Sequence, residues 1–343
     1  MKYNLIRIIP KVHIIKFYIP LKFNIVCSSR CFMVMFPCPM SGSLIGLCQC
    51  TVIVLLNINQ SNITVIYFRF FILLLILALL VLAPILVVLM NSFKGQFFIS
   101  DAPFKLPTLT ETADGLATFV GFKNYLSGIE KAGFLSAFGY SLFVTVFSVG
   151  AIILFTAMTA WYIIRSKGKF SGALYYLFVF SMIVPFQMVM FPMSKVANML
   201  HLDNPVGIIV IYLGFGAGLS VFMFSGFVKS IPLEIQEAAM IDGCNPIQTF
   251  FLVVFPILRP TAITVAILNA MWIWNDYLLP YLVIGNKYRT IPIAVQYLQG
   301  GYGSRDMGAL MAVLVLSIIP IIIFYLICQK YIIKGVVAGA VKG

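Results

Sequence analysis

Runs of about twenty apolar residues constrain this chain more than any other feature. They fall at about 68–90, 138–163, 172–192, 205–228, 260–282 and 308–329. A bilayer core about 30 Å thick is crossed by roughly 20 residues of helix, and every backbone amide and carbonyl inside it must be bonded within the segment. Each run therefore predicts a membrane-spanning helix. Pro84, Pro185 and Pro320 lie inside three of them. Proline would break a helix in water, but neighbouring helices re-satisfy the freed carbonyls in a membrane, so six spans are expected. The fold class is an all-α polytopic membrane protein.

Composition agrees. Hydrophobic residues make up 62% of the 343 and charged residues 10%, whereas a soluble domain is roughly half apolar and about a quarter charged. The formal charge of +13 raises the question of nucleic acid. The basic residues are scattered at the ends of apolar runs, with no stripe to neutralise successive phosphates, so nucleic acid is excluded and the lipid bilayer is the partner. The cysteines Cys27, Cys31, Cys38, Cys48 and Cys50 crowd the N-terminal stretch, and Cys244 and Cys328 stand alone. With no histidine or carboxylate nearby to complete a ligand set, they read as small apolar filler, and no metal site is expected.

An even number of spans puts both ends of the core on one side. The short loop holding Arg165, Lys167 and Lys169 and the tail holding Lys330, Lys334 and Lys342 carry no acid, which places both in the cytoplasm by the positive-inside rule. Residues 229–259 fall on the same side. Residues 1–66 fit less well: they carry six basic residues before an uncharged stretch from Cys31 to Phe68. A span there would throw those charges outside, and the basic region is too long for a signal peptide. They are taken as an N-terminal extension, and a translation start placed too far upstream would account for it. The core is then 67–343.

The segment 234–260, EIQEAAMIDGCNPIQTFFLVVFPILRP, is out of character. Glu234, Glu237 and Asp242 sit within nine positions of a chain with ten acidic residues. Each acid would cost roughly 2.5–3.5 kcal/mol at a span centre, so the segment leaves the membrane. Pro232 suits a first helical position, Glu234 suits the first turn, and Gly243 suits a C-terminal stop. Asn245 followed by Pro246 is a cap and a new start. Helix, tight turn, helix is the expectation. Leu233, Gln236, Ala239 or Met240 and Gly243 share one side at helical spacing, a face of low bulk on which a partner's backbone can approach, with Glu237 and Asp242 at its rim. A solvated loop with helical tendency is the alternative from physics alone.

Glu237-Ala238-Ala239, then Asp242-Gly243, then an apolar run ending in Pro256 resembles the signature loop of ATP-binding-cassette importer permeases. The surroundings are similar to the carbohydrate-importer branch, in particular the smaller maltose-type permease subunit. WNDYLLPYLVI (Trp274 to Ile284) and QKYIIKGVVAGAVKG (Gln329 to Gly343) resemble that branch too. The likeness runs from about residue 67 to the end. Phe255 replaces a usual leucine, Cys244 a common alanine, and Tyr140 precedes Ser141 where the family often has asparagine.

The resemblance implies a six-helix type I permease whose loop 231–260 docks into a separate ATPase, with Glu234, Glu237, Ala238, Ala239, Asp242, Gly243 and Pro256 forming the coupling site. It implies a second permease subunit, an ATPase dimer and an extracytoplasmic sugar-binding protein as partners, in a bacterial or archaeal plasma membrane. ATP and magnesium would be bound by the ATPase. This chain has no phosphate loop of the GxxxxGK[ST] kind, is expected to bind no cofactor, and is not expected to be an enzyme. Asp276, with Asn275, reads either as an anchor within an interfacial belt of Trp272, Trp274 and Tyr277 or as part of the sugar path. Gln187 reads as an interhelical hydrogen-bonding group or a path residue. Gly335 and Gly339 are either terminal flexibility or a tail contact with the ATPase. The rival function is an ion-gradient-driven secondary transporter acting without an ATPase, although no internal repeat is evident.

Overall fold

The computed structural model describes residues 13–14, 24–28, 31–35, 60–109, 118–166, 168–299 and 306–340. Cys38, Cys48, Cys50, Lys167 and Lys342 lie outside the described residues, as do the side chains of Cys27, Cys31 and Lys334. The chain divides into two compact units, Met1–Pro84 and Ile85–Gly343. In the first, β1 (His13–Ile14), β2 (Asn24–Ser28) and β3 (Cys31–Met35) pair antiparallel in that order, with Ser28 opposite Cys31. Helix α1 (Gln60–Asn91) follows and crosses the boundary between the units.

The second unit is helical among its described residues. After α2 (Gln96–Asp101) and α3 (Lys123–Ala132) come α4 (Phe134–Arg165), α5 (Lys169–Ser181), α6 (Phe186–Met199) and α7 (Gly207–Val228). Then α8 (Leu233–Ile241) and a single turn, α9 (Pro246–Gln248), lead through a wide π turn at Thr249–Val254 into α10 (Phe255–Asn275). Helices α11 (Leu278–Val283), α12 (Ile291–Leu298) and α13 (Met307–Ala340) complete the unit. Among the described residues, five helical stretches are long and apolar enough to cross a membrane, and α5 with α6 makes up to six if that pair, bent by 107°, is one span.

Two of the expected spans differ in detail. The third is broken: Pro185 has an extended backbone and caps α6. Val184 before it lies outside the helix, a position that the following proline disfavours for helix without forbidding it. The fifth is displaced toward the N-terminus, because helix is continuous over Pro246–Asn275 and ends before Asp276.

The main core runs along α4, α7 and α10, with Ile152, Ala160, Tyr212, Phe224, Leu258 and Val265 buried in one cluster. Small residues bring these helices together, as suits a membrane, where packing rather than water exclusion holds helices. At Gly216 an added Cβ would lie 2.6 Å from Ile152 Cδ1 and 2.9 Å from Asn269 Oδ1. The Asn269 amide donates to Ser220 Oγ at 3.2 Å and to the Val265 carbonyl at 2.9 Å, so the same junction is cross-linked by a polar bond.

A second cluster, around Ala132, Phe134, Leu298 and Val313, sits at the end of α4 remote from α8. Asn124 braces that end by donating to the Ser92 and Lys94 carbonyls, both at 2.8 Å. Lys94 is itself buried, its ammonium donating to the Ala102 carbonyl at 2.9 Å, and burial pulls its pKa below the usual lysine value.

Candidate functional site

The segment 229–259 is two helical arms around a tight turn. Pro232, in an extended conformation, caps α8, and Glu234 occupies the first turn, where its charge complements the exposed amides. At the far end the Cys244 amide donates to the Ala239 carbonyl at 3.0 Å and the Gly243 amide to the Met240 carbonyl at 3.1 Å. That pair of bonds is the Schellman stop, and it requires a left-handed residue at Gly243, whose φ is +87°. The next arm opens with a reciprocal cap: the Gln248 amide donates to Asn245 Oδ1 at 2.8 Å, and the Asn245 amide to Gln248 Oε1 at 2.9 Å.

The second arm is the membrane helix itself. From Pro246 the chain stays helical to Asn275, so the separate short helix expected before residue 260 is instead the first part of the fifth span. The π turn falls just before Pro256, which has no amide to give the Leu252 carbonyl, and a wider turn accommodates the lost bond. Pro256 is exposed.

Burial sorts the signature residues into two faces. Glu234, Glu237, Ala238, Asp242 and Gly243 are exposed, while Ala239 is only 8% exposed and Gln236 3%. The small-residue face drawn from spacing is corrected at its centre: Gln236 and Ala239 turn toward the chain's own core. A hydrogen bond satisfies the oxygen of the buried amide, since Trp161 Nε1 of α4 donates to Gln236 Oε1 at 3.0 Å, while Nε2 is buried without a partner. The outward face instead combines the acids with Ile235, Met240 and Ile241, the last 85% exposed.

Sequence reasoning passed over the residues that hold α8 from behind. One turn beyond Trp161, Arg165 Nη2 donates to the Ile231 carbonyl at 2.8 Å, at the open C-terminal end of α7 where a cation is favoured. The Trp161 ring lies 5.6 Å from that of Phe250, which is fully buried in the π turn. The four-residue spacing of Trp161 and Arg165 puts them on one face of α4, but their partners lie more than sixty residues away, and a single sequence carries no signal for such pairs.

The other sequence candidates are dispersed. At the opposite end of α10, Asp276 is half-buried. Its Oδ2 accepts from the Tyr212 hydroxyl at 3.1 Å, and its Oδ1 accepts from the Leu278 and Leu279 amides at 3.1 and 3.4 Å. Tyr212 is fully buried and meets Trp272 edge-on. Both carboxylate oxygens are thus engaged within the chain, tying α7 to the break between α10 and α11. Asn275 is exposed, donates to the Met271 carbonyl at 2.7 Å, and borders an apolar groove of about 430 Å³ between α4, α10 and α13. Gln187 is exposed in the first turn of α6, beside the break at Pro185. Gly335 and Gly339 lie on the helical backbone of α13, which continues to Ala340.

Residues 151–337 match the family described as the binding-protein-dependent transport system inner membrane component. The chain is 39% identical over 269 residues to the probable starch degradation products transport system permease protein AmyC of Thermoanaerobacterium thermosulfurigenes, covering 78% of this chain and 94% of that one. It is 34% identical to the multiple sugar-binding transport system permease protein MsmG of Streptococcus mutans, over 80% of this chain and 97% of that one. It is 31% identical to the melibiose/raffinose/stachyose import permease protein MelC of Bacillus subtilis, over 65% of this chain and 82% of that one. Among solved structures, a bacterial ABC transporter involved in the import of the acidic polysaccharide alginate superposes with a TM-score of 0.64 at 23% identity, over 80% of this chain and 98% of that one. These matches displace the reading as an ion-gradient-driven transporter, and the chain belongs to the family of inner membrane components of binding-protein-dependent transport systems.

Proposed function

We propose that this chain is the permease subunit of an ATP-driven carbohydrate importer, docking through α8 and the turn at Gly243 onto a separate ATPase. The observation that carries it is the two-sided build of α8. Its outer face offers acids around exposed Ile235, Met240 and Ile241, while its inner face is bonded to α4. A segment that only linked two spans would need neither. An apolar centre with a charged rim is how a short helix seats in a partner's groove, and a rigid turn lets the partner's motion pass on rather than dissipate.

The complete machine then holds a second permease subunit, an ATPase dimer that binds ATP and magnesium, and an extracytoplasmic sugar-binding protein. It sits in a bacterial or archaeal plasma membrane with both ends of the core in the cytoplasm, consistent with Arg165 and Lys169 near the α8 end. The chain itself binds no nucleotide and catalyses no reaction. Relatives named for starch degradation products and for melibiose, raffinose and stachyose support an oligosaccharide as cargo. The path would lie between the paired permeases, with Asn275, Asp276 and Gln187 as its candidates in this chain and Gly335 and Gly339 as a tail contact with the ATPase.

The test is Glu237→Lys and Gly243→Asp in a complex reconstituted with its ATPase and binding protein. The first inverts a rim charge, and the second puts a Cβ at a left-handed turn, costing about 1–2 kcal/mol there. Both variants are expected to insert into the membrane and to lose stimulation of ATP hydrolysis across a panel of maltotriose, raffinose and stachyose. Normal stimulation in both would sink the docking reading.

A further inference from the structure

Helix α8 is nine residues long, and if it were tethered only through the non-helical residues 229–232 and the Gly243 turn, a pull on Glu237 would rotate it in place. The bond from Trp161 Nε1 to Gln236 Oε1 meets α8 at its middle, one residue from Glu237, and on the opposite side from the exposed acids. The Trp161 ring also packs at a tilt against Phe250, so one side chain at the end of α4 touches both α8 and the π turn that opens α10. Arg165 holds the preceding strand of chain through the Ile231 carbonyl. The middle of α8, the chain leaving α7 and the π turn that opens α10 converge on the last two turns of α4.

We propose that Trp161 and Gln236 form a latch that makes α8, the end of α4 and the π turn move as one body, so that displacement of α8 by the ATPase enters the α4–α7–α10 core. The proposal rests on the docking reading above. Opening the latch would leave an indole N–H and a buried amide oxygen unpaired at a part-buried seam, and unpaired polar groups there are costly, so the bond persists while the surrounding body moves. Gln236 Nε2 and Arg165 Nε are buried at the same seam without partners, so the seam is already short of hydrogen-bond acceptors and offers Trp161 no replacement. Trp161 and Gln236 are positioning residues, acting through the docked face rather than touching cargo or nucleotide.

A cysteine-depleted version of the whole complex tests this with spin labels at Leu233→Cys on α8 and Tyr162→Cys on α4, both exposed and outside the docking face. Distances are read in the nucleotide-free and ATP–vanadate-trapped states. The wild-type latch should give the same distance in both. Gln236→Met, which keeps the side chain's length, and Trp161→Phe, which keeps the ring on Phe250, should each shift or broaden it on trapping while the ATPase stays bound. Each should also lower sugar-stimulated hydrolysis about fivefold, the equilibrium value of one ordinary hydrogen bond. The double variant should be no worse than either single, because one bond is lost in all three. A wild-type change of more than about 5 Å, one helical turn, would overturn the latch. So would an unchanged distance in Gln236→Met with stimulation intact. Absence of the ATPase from the wild-type complex would overturn the docking reading, and the latch with it.

Discussion

The role of Asp276 can be decided by how its loss divides between stability and transport. Three donors converge on its carboxylate: the Tyr212 hydroxyl and the Leu278 and Leu279 amides. Asp276→Ala leaves the fully buried Tyr212 hydroxyl unpaired, at a cost of about 1–3 kcal/mol. It also removes the acceptor for the first amides of α11, worth about 1 kcal/mol as a helix cap. The sum is about 2–4 kcal/mol. Asp276→Asn keeps Oδ1 for the two amides and can donate through Nδ2 to a rotated Tyr212 hydroxyl, losing only the charge assistance, about 1 kcal/mol. Tyr212→Phe removes one bond of the three and should fall between. Thermal unfolding of the detergent-solubilised chain should rank wild type, then Asp276→Asn, then Tyr212→Phe, then Asp276→Ala. Uptake by reconstituted Asp276→Asn should keep its KM. An Asp276→Asn chain that melts like wild type but needs about tenfold more sugar, about 1.4 kcal/mol of binding, would refute the anchor and put the carboxylate on the cargo.

Two further tests concern packing and charge at the same end of the core. A Cβ at Gly207 would lie 2.4 Å from the Leu202 Cα and carbonyl oxygen, backbone atoms that cannot swing aside, so Gly207→Ala should destabilise by about 1–3 kcal/mol in a thermal melt. At the start of α13, burial raises the Asp306 pKa, but the Ala309 amide, the Lys131 ammonium at 2.6 Å and the Ser127 hydroxyl outweigh it and hold it below the usual carboxylate value. A depressed carboxyl stabilises above its unfolded pKa, near 3.8, and that stability is lost as pH falls through the lower folded value. Asp306→Asn should therefore lower the melting temperature near neutral pH, and the gap to wild type should close as pH drops below about 4. Because Lys131 is 56% exposed, solvent screening keeps the effect under about 1 kcal/mol.

Much of the architecture was legible because membrane insertion writes helices into sequence as long apolar runs. The ranges read for the second, fourth and sixth spans fall within α4, α7 and α13, apart from the first two residues of the α7 run. The caps around Gly243 were legible for a similar reason, since they depend on residues three to five apart. Proline was not decisive. Pro84 and Pro320 sit inside continuous helices while Pro185 breaks one, and Ile319 before Pro320 is as β-branched as Val184 before Pro185. Neighbouring helices decide such cases, and local sequence does not describe them. The inward turn of Gln236 was hidden likewise, because a polar residue is assigned to the surface until its buried partner is known. Recognising the signature motif drew attention to Glu237 and Gly243 but not to Trp161, which lies far from the motif in sequence.

The two arms around Gly243 have different attachments, and the difference bears on how a pull would travel. The first arm, α8, reaches the core through side chains, by way of Trp161 and Arg165. The second arm reaches it through backbone, because helix runs unbroken from Pro246 to Asn275. Both routes end on α7, which packs against α4 and α10 with Gly216 close to Ile152 and Asn269. Well-packed helices shift as blocks rather than deform. Movement imposed at Gly243 is then not absorbed midway, and it emerges at the far ends of α7 and α10, where Tyr212 and Asp276 are bonded to each other. On that argument the Tyr212–Asp276 tie and the Trp161–Gln236 latch are two ends of one lever: weakening the latch should uncouple hydrolysis from transport, whereas weakening the tie should loosen the block itself.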